Sequence, residues 1–160
     1  MDRINRIVSH PLWRETVKDI QELEKTRIFC GHNVAHFMDV ARLCEIENLR
    51  DQLGISREMI YAAALLHDIG RAKQYREGIP HDVAGAALAE EILRDCGFDE
   101  AEIREITGAI SRHRSRETGE KQDLAGLLYR ADKAARLCRF CEAQAECNWS
   151  PEKKNLVLKD

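Results

Sequence analysis

Apolar residues recur at three- and four-residue intervals through most of the chain, and no stretch sustains the strict alternation of a half-buried strand. With three prolines to interrupt it, this pattern predicts an all-α bundle of about six helices. Ser9 and Pro11 open a first helix running to about Lys25, and a second is expected from about His32 to Asn48. After a turn at Gly54, Ser56 suits the N-cap of a third helix that passes through His67 and is ended by Gly70. A polar loop from Arg71 to Pro80 then leads into a fourth helix ending at Gly97. Asp99 followed by Glu102 reads as a capping box for a fifth, from about Glu100 to His113. The segment RSRETGEK separates it from a last long helix, expected from Asp123 to Cys147.

The same periodicity carries polar side chains onto core faces. His67 shares a face with Ile60, Ala63 and Ala64, and His113 continues the stripe Ile103, Ile106, Ile110. His81 begins the stripe Ala84, Gly85, Leu88, Ile92, while His36 lies with Val40 and Leu43. Asp132 follows Leu124 and Leu128 on a face that continues to Ala135. An unpaired carboxylate there would be costly to bury. Imidazole nitrogen and carboxylate oxygen suit zinc, iron, cobalt or manganese, so His36, His67, Asp68 and Asp132 form a candidate metal site. His10, beside Pro11 and outside any stripe, is expected to be structural or exposed.

Length and composition narrow the class. At 160 residues, 44% hydrophobic and 33% charged, the chain fits one soluble domain with a sizeable core. A formal net charge of -3 argues against sequence-independent binding to nucleic acid, so any phosphate recognition must be local. The N-terminus lacks an apolar stretch of signal-peptide length, and the run IYAAALLH is too short to span a bilayer. A cytoplasmic protein without membrane contact is expected, and in that compartment the six cysteines should be reduced, buried or metal-bound.

The order His36, His67-Asp68, Asp132 resembles the HD-domain superfamily of metal-dependent phosphohydrolases, whose pattern is a His, an adjacent His-Asp pair and a distal Asp on a helical core. The resemblance extends through HFMDVARL after His36, AAALLHDIGR around the pair, HDVAGAALAEEIL from His81, AISRHR at His113 and YRADKAAR at Asp132. It covers an HD core of about 30–136 within a single domain of 1–160, leaving 137–160 as a cysteine-containing C-terminal extension. The two intervening histidines are similar to those of the dinuclear branch, which includes dinucleoside-tetraphosphate hydrolases. That resemblance implies one metal on His36, His67, Asp68 and Asp132, with Asp68 bridging to a second on His81 and His113. Some dinuclear members have two adjacent histidines where this chain has His113-Arg114, which implies one ligand fewer for the second metal.

Phosphoester or phosphoanhydride hydrolysis follows from such a site, and the resemblance implies a phosphohydrolase acting on a nucleotide or dinucleoside polyphosphate. Asp68, His67, Arg71 and His32 are the residues expected to take part in catalysis. Arg71, Lys73, Arg112, Arg114 and Lys133 are expected to hold substrate phosphates, with Arg130 also nearby. His32, four residues before His36, either faces substrate or caps the first turn of its helix. Two other functions fit the same residues: a diiron oxygenase, and a non-catalytic metal or nucleotide sensor. Finally, Cys138, Cys141 and Cys147 form C-x2-C-x5-C, with Cys30 a candidate fourth ligand. These thiols either hold structural zinc or an iron-sulfur cluster, or remain reduced. Cys44 and Cys96 are expected to be packing residues.

Overall fold

The computed structural model describes residues 1–157 and contains eight α-helices and no strand among them: α1 (Asp2–Ser9), α2 (Pro11–Leu23), α3 (Val34–Arg50), α4 (Arg57–Leu66), α5 (Arg71–Glu77), α6 (His81–Asp95), α7 (Glu100–Arg112) and α8 (Leu124–Ala134). The all-α expectation therefore holds. The centre of the bundle is α4, in which Met59, Ile60 and every residue from Ala62 to Leu66 are buried. A helix apolar nearly all round must be covered on every side, and α1, α3, α6, α7 and α8 all pack against it. Trp13 on α2 adds a buried hydrogen bond from its indole N–H to the Leu65 carbonyl, 3.0 Å.

Helix starts are set by side-chain caps. Asn33 accepts from the His36 N–H, Asp123 from the Gly126 N–H, and the Asp99–Glu102 capping box forms in both directions. Each cap satisfies amide groups that have no partner within the helix.

Four expectations need correction. The chain opens with a helix, α1, before the expected first one. Ile4 and Ile7 bury its inner face, and Arg3 ties it to Glu58 and Glu102 and covers the Phe98 ring at 4.1 Å. His10 divides α1 from α2 in an extended conformation (φ -65, ψ 129), as expected of a residue before proline. Second, the segment read as a polar loop, Arg71 to Pro80, contains α5. Its only buried residue is Ala72, and Gly78 in the left-handed region (φ 73) ends it.

Third, Gly70 does not end a helix through positive φ. Its φ of -72 is open to any residue, and α4 itself stops at Leu66. The position requires glycine because a Cβ there would lie 2.1 Å from the His81 carbonyl oxygen and 2.5 Å from the Gly85 nitrogen. Fourth, the last helix ends at Ala134 rather than running to Cys147. The Asn155 side-chain amide donates to the carbonyls of Lys133, Ala134 and Arg136, which a continuing helix would have used. The segment that follows contains short 3-10 turns at Cys138–Phe140 and Pro151–Lys153. The last three residues of the expected extension, 158–160, lie outside the described residues.

Candidate metal centre

Five helices or their ends deliver the six expected ligands to one place. His36 lies in the first turn of α3, His67-Asp68 just past α4, His81 at the first position of α6, His113 just past α7 and Asp132 on α8. All six are buried, with exposures from 0% to 7%. Their ligand atoms fall into two sets, each gathered within 4.8 Å: His36, His67, Asp68 and Asp132, and then Asp68, His81 and His113.

Asp68 belongs to both sets and turns a different oxygen toward each. Its Oδ2 is 3.2 Å from His67 Nε2 and 3.9 Å from His36 Nε2. Its Oδ1 is 3.2 Å from His81 Nε2 and 3.9 Å from His113 Nε2. Asp132 Oδ1 closes the first set at 3.2 Å from His36 Nε2 and 3.7 Å from His67 Nε2. Ligands each about 2.0–2.2 Å from one ion stand at such separations from one another.

The ring nitrogens are oriented for coordination. His67 Nδ1 donates to the Ala64 carbonyl at 2.7 Å, His113 Nδ1 to the Ile110 carbonyl at 2.6 Å, and His81 Nδ1 to Gln74 Oε1. With Nδ1–H engaged, each Nε2 points inward, as a free lone pair on His81 and His113 and, on His67, as one that becomes available when the ring loses its second proton. Three buried atoms that face one another, His36 Nε2, His67 Nε2 and Asp68 Oδ2, have no hydrogen-bond partner. Leaving such atoms unpaired costs about 1–3 kcal/mol each, and a shared cation would satisfy all three. The residues thus fit a divalent metal on the first set, with Asp68, His81 and His113 suited to a second.

Electrostatics favour the same reading. Burial holds the His36 pKa below the ordinary histidine value, and it takes His81 down to about 3 and His113 to about 4, so these rings are neutral ligands at physiological pH. His67 moves the other way. Burial opposes its charge, but Asp68 and Asp132 prevail and raise it to about 9. Burial likewise pushes both carboxyls toward neutrality and is overcome. His67 keeps Asp68 well below its ordinary value, and the His36 and His67 rings beside it do the same for Asp132.

Three cations and one further histidine surround the ligands. Arg71 Nε donates to Asp68 Oδ1 at 2.9 Å, and Lys133 Nζ to Asp132 Oδ2 at 2.8 Å. Arg136, which sequence reasoning missed, is buried and donates to Asp132 Oδ1 at 2.8 Å. Its position four residues after Asp132, an ion-pair spacing on a helix, was the available signal. His32 is buried beside the site, its Nε2 3.8 Å from Asp68 Oδ2, and the cap it might have supplied is made by Asn33 instead. Glu24 accepts from both the His32 N–H and Nδ1, and from the Tyr75 hydroxyl. Those bonds outweigh burial and hold Glu24 down at about 2, whereas burial holds the His32 pKa low despite them. No motif pointed to Glu24.

The remaining expected cations stand farther out. Arg114 pairs with Asp82 at 3.3 Å, while Lys73 and Arg112 are exposed and have no ion-pair or hydrogen-bond partner among the described residues. Arg130 is removed from the group, held by Glu47 and the carbonyls of Gly119 and Lys121. His10 pairs with Asp95 at the surface, 3.3 Å. No helix among the described residues is long and apolar enough to cross a membrane.

Comparison with known proteins agrees with this geometry. The HD domain family model matches residues 33–137, a span that contains all six candidate ligands, and the chain belongs to that family. HD domains bind divalent metals, and the buried cluster fits that property. An uncharacterized protein of Clostridium beijerinckii is 43% identical over 158 residues, covering 99% of each chain. Ribonuclease Y of Oleidesulfovibrio alaskensis is 32% identical over 123 residues, which is 77% of this chain and 22% of that protein. The chain therefore matches only about a fifth of the ribonuclease. Among solved structures, a predicted HD superfamily hydrolase from an uncultured Thermotogales bacterium shares the fold with a TM-score of 0.63 at 23% identity, covering 88% of this chain and 80% of that one.

Proposed function

We propose that this protein is a metal-dependent phosphohydrolase that cleaves a phosphoester or phosphoanhydride bond of a nucleotide or dinucleoside polyphosphate. The observation that carries this reading is the shared carboxylate: Asp68 offers one oxygen to each of two adjoining ligand sets, with unpaired Nε2 atoms facing it. Divalent metals bound there would lower the pKa of water and polarise a phosphoryl oxygen.

The chain's own groups supply the rest. Glu24 fixes His32 with its proton on Nδ1 and its Nε2 turned toward the site, in position to take a proton from the attacking water. Arg71 spends its Nε on Asp68, leaving its terminal nitrogens for phosphoryl oxygens. Lys133 lies between Asp132 and the face of Tyr129, 4.4 Å from the ring centre, beside the same carboxylate. A groove of about 340 Å³ lined by Asp39, Arg42, Leu43, Ala134, Ala135 and Leu137 begins one helical turn along α3 and α8 from His36 and Asp132. Its volume suits the nucleoside of such a substrate.

The test is hydrolysis by protein purified without oxygen and loaded with iron, manganese, cobalt or zinc. Substrates are mononucleotides, dinucleoside polyphosphates, guanosine polyphosphates, an aryl phosphate and a short RNA. The RNA is included because ribonuclease Y is among the relatives. Turnover of a polyphosphate supports the proposal, and turnover of RNA alone moves the substrate class to phosphodiesters. Failure with every metal and substrate sinks the hydrolase reading and favours an oxygenase or sensor.

A further inference from the structure

Four of the six cysteines, none of them in the histidine–carboxylate cluster, meet at one place. Cys30, from the loop before α3, and Cys138, Cys141 and Cys147, from the segment after α8, line a single small cavity with Phe29, Gln144 and Lys154. Cys44 and Cys96 are buried in the hydrophobic core and take no part. All six are free thiols. The cavity, about 20 Å³, exceeds the roughly 10–15 Å³ that one water-sized sphere needs, so it suits a single ion.

The segment that carries three of these thiols has little else to order it. Between Leu137 and Val157 the buried apolar residues are Cys138 and Ala143, while Leu137 and Phe140 are 66% and 68% exposed. What holds it is polar. Gln144 donates to the Cys138 carbonyl at 2.8 Å, Lys154 Nζ to the Gln144 carbonyl at 2.9 Å, and the Arg139 N–H to the Asn155 carbonyl at 3.0 Å. So small a cluster of apolar side chains does not stabilise an irregular segment by itself, and segments of this kind commonly depend on a cross-link.

We propose that Cys30, Cys138, Cys141 and Cys147 together bind one zinc ion as thiolates, clamping the C-terminal segment to the loop before α3. Thiolate sulfur selects zinc over magnesium, calcium or manganese, and four sulfurs complete the tetrahedral shell of a closed structural site. The 3-10 turn at Cys138–Phe140, with the Cys141 N–H bonded to the Cys138 carbonyl at 3.2 Å, places those two side by side. The thiols stand farther apart than the histidine-site ligands, since no three of them lie within 4.8 Å of one another. With zinc–sulfur bonds of about 2.3 Å they would close in, a movement the loosely packed segment can absorb. Cationic groups offset the thiolate charge. Lys154 lines the cavity, and Arg136 lies near enough to Cys30 to oppose the burial that raises its thiol.

The test must see sulfur, because the histidine centre also takes metals. Chelator-stripped, reduced full-length protein is titrated with cobalt(II) under nitrogen. The proposal expects sulfur-to-cobalt charge-transfer absorption that saturates at one cobalt per chain, disappears when zinc is added, persists in Asp68→Ala and is lost in Cys30→Ser and in Cys141→Ser. Cys96→Ser, whose sulfur lies in the core, keeps the signal and controls for loss of fold. No charge-transfer band in the unmutated protein overturns the site. So does a band that survives both serine variants, an iron-sulfur chromophore in the protein as purified, or disulfides among these cysteines in protein prepared without oxygen.

Discussion

Gly70→Ala isolates the contact that places one proposed metal ligand, His81. The first turn of α6 lies directly against the turn after Asp68, and the missing side chain of Gly70 lets the two backbones meet. Gly70 has an ordinary φ of -72, so alanine adds no backbone strain and the effect is steric. Its Cβ would lie 2.1 Å from the His81 carbonyl oxygen, and restoring an ordinary contact of 3.4 Å requires a displacement of about 1.3 Å. The neighbours are main-chain atoms of α6, so they move only with the helix. Metal sites tolerate about 0.2 Å of ligand displacement, several times less than this. His81, now 3.2 Å from Asp68 Oδ1, is the ligand carried away.

The expected outcome is that Gly70→Ala keeps the first metal and binds the second at least about 10–100 times more weakly. The chelated protein should also lose about 1–3 kcal/mol from overpacking, at roughly 2–4 °C of melting temperature per kcal/mol for a chain of this size. Gly78→Ala is the control. It places alanine at φ 73 with nothing within 4 Å, so it should lower stability by about 1–2 kcal/mol and leave both metals in place. Titration calorimetry and metal analysis read the first effect, thermal unfolding the second. A Gly70→Ala protein that binds both metals like wild type, or loses both equally, would refute this account of His81.

Asp68→Ala should lose both metals and all activity, whereas His81→Ala should lose only the second; equal metal content in the two variants contradicts the shared carboxylate. Arg136→Met removes one partner of buried Asp132, leaving the Lys133 ammonium on its other oxygen, and should destabilise the chelated protein by about 1–3 kcal/mol. Loading metal should narrow the gap to wild type, because a cation then faces Asp132, and a gap indifferent to metal argues against that role. Metal binding must displace the proton of His67, raised from 6.5 to about 9, so affinity should climb by up to about tenfold per pH unit between those values. Calorimetry in buffers of different ionisation enthalpy counts the released proton, and no release near neutral pH defeats the prediction. Without metal, the His67 contribution to stability is complete below 6.5 and is lost as pH rises through about 9. The contributions of neutral His81 and His113 are present above 6.5 and are lost as pH falls toward about 3 and 4. Chelated protein should therefore be most stable between these limits, and a pH–melting curve that rises steadily into acid or alkali excludes that balance.

How much of this was legible in the sequence depends on how local the cause was. The convergence of the candidate ligands was legible because the apolar stripes that bury α3, α4, α6, α7 and α8 carry His36, His67, His81, His113 and Asp132 in register. The Asp99–Glu102 box was legible because both partners lie within one turn. The misreadings share a longer range. α1 offers only Ile4 and Ile7 to a core it does not adjoin in sequence, and its anchor, Arg3, reaches Glu58 and Glu102. The polar stretch RAKQYRE is helical because it lies between α2 and α6. The end of α8 is decided by Asn155, about twenty residues downstream. Gly70 was assigned a conformation when the structure required only the absence of a side chain. Glu24 belongs to no ligand motif and is brought in by His32.

The orientation of the histidines has a common origin in the ends of helices. A helix leaves its last carbonyls and first N–H groups without partners, and burying them unpaired is costly. Here His67 and His113 occupy the C-cap positions of α4 and α7, and each donates Nδ1–H to the carbonyl three residues back. At the start of α6, Gln74 accepts from the His81 backbone N–H and from its ring together. At α4 and α7 the bond that satisfies the helix terminus is therefore the same bond that fixes the ring with Nε2 facing inward, and at α6 one side-chain oxygen serves both purposes through two bonds. This explains why these three histidines sit at helix ends rather than at mid-helix, where the carbonyls are already engaged. It also explains how the centre can be rigid before any ion arrives: the rings are held by the folding of the helices themselves, and coordination adds to an arrangement that packing and capping have already made.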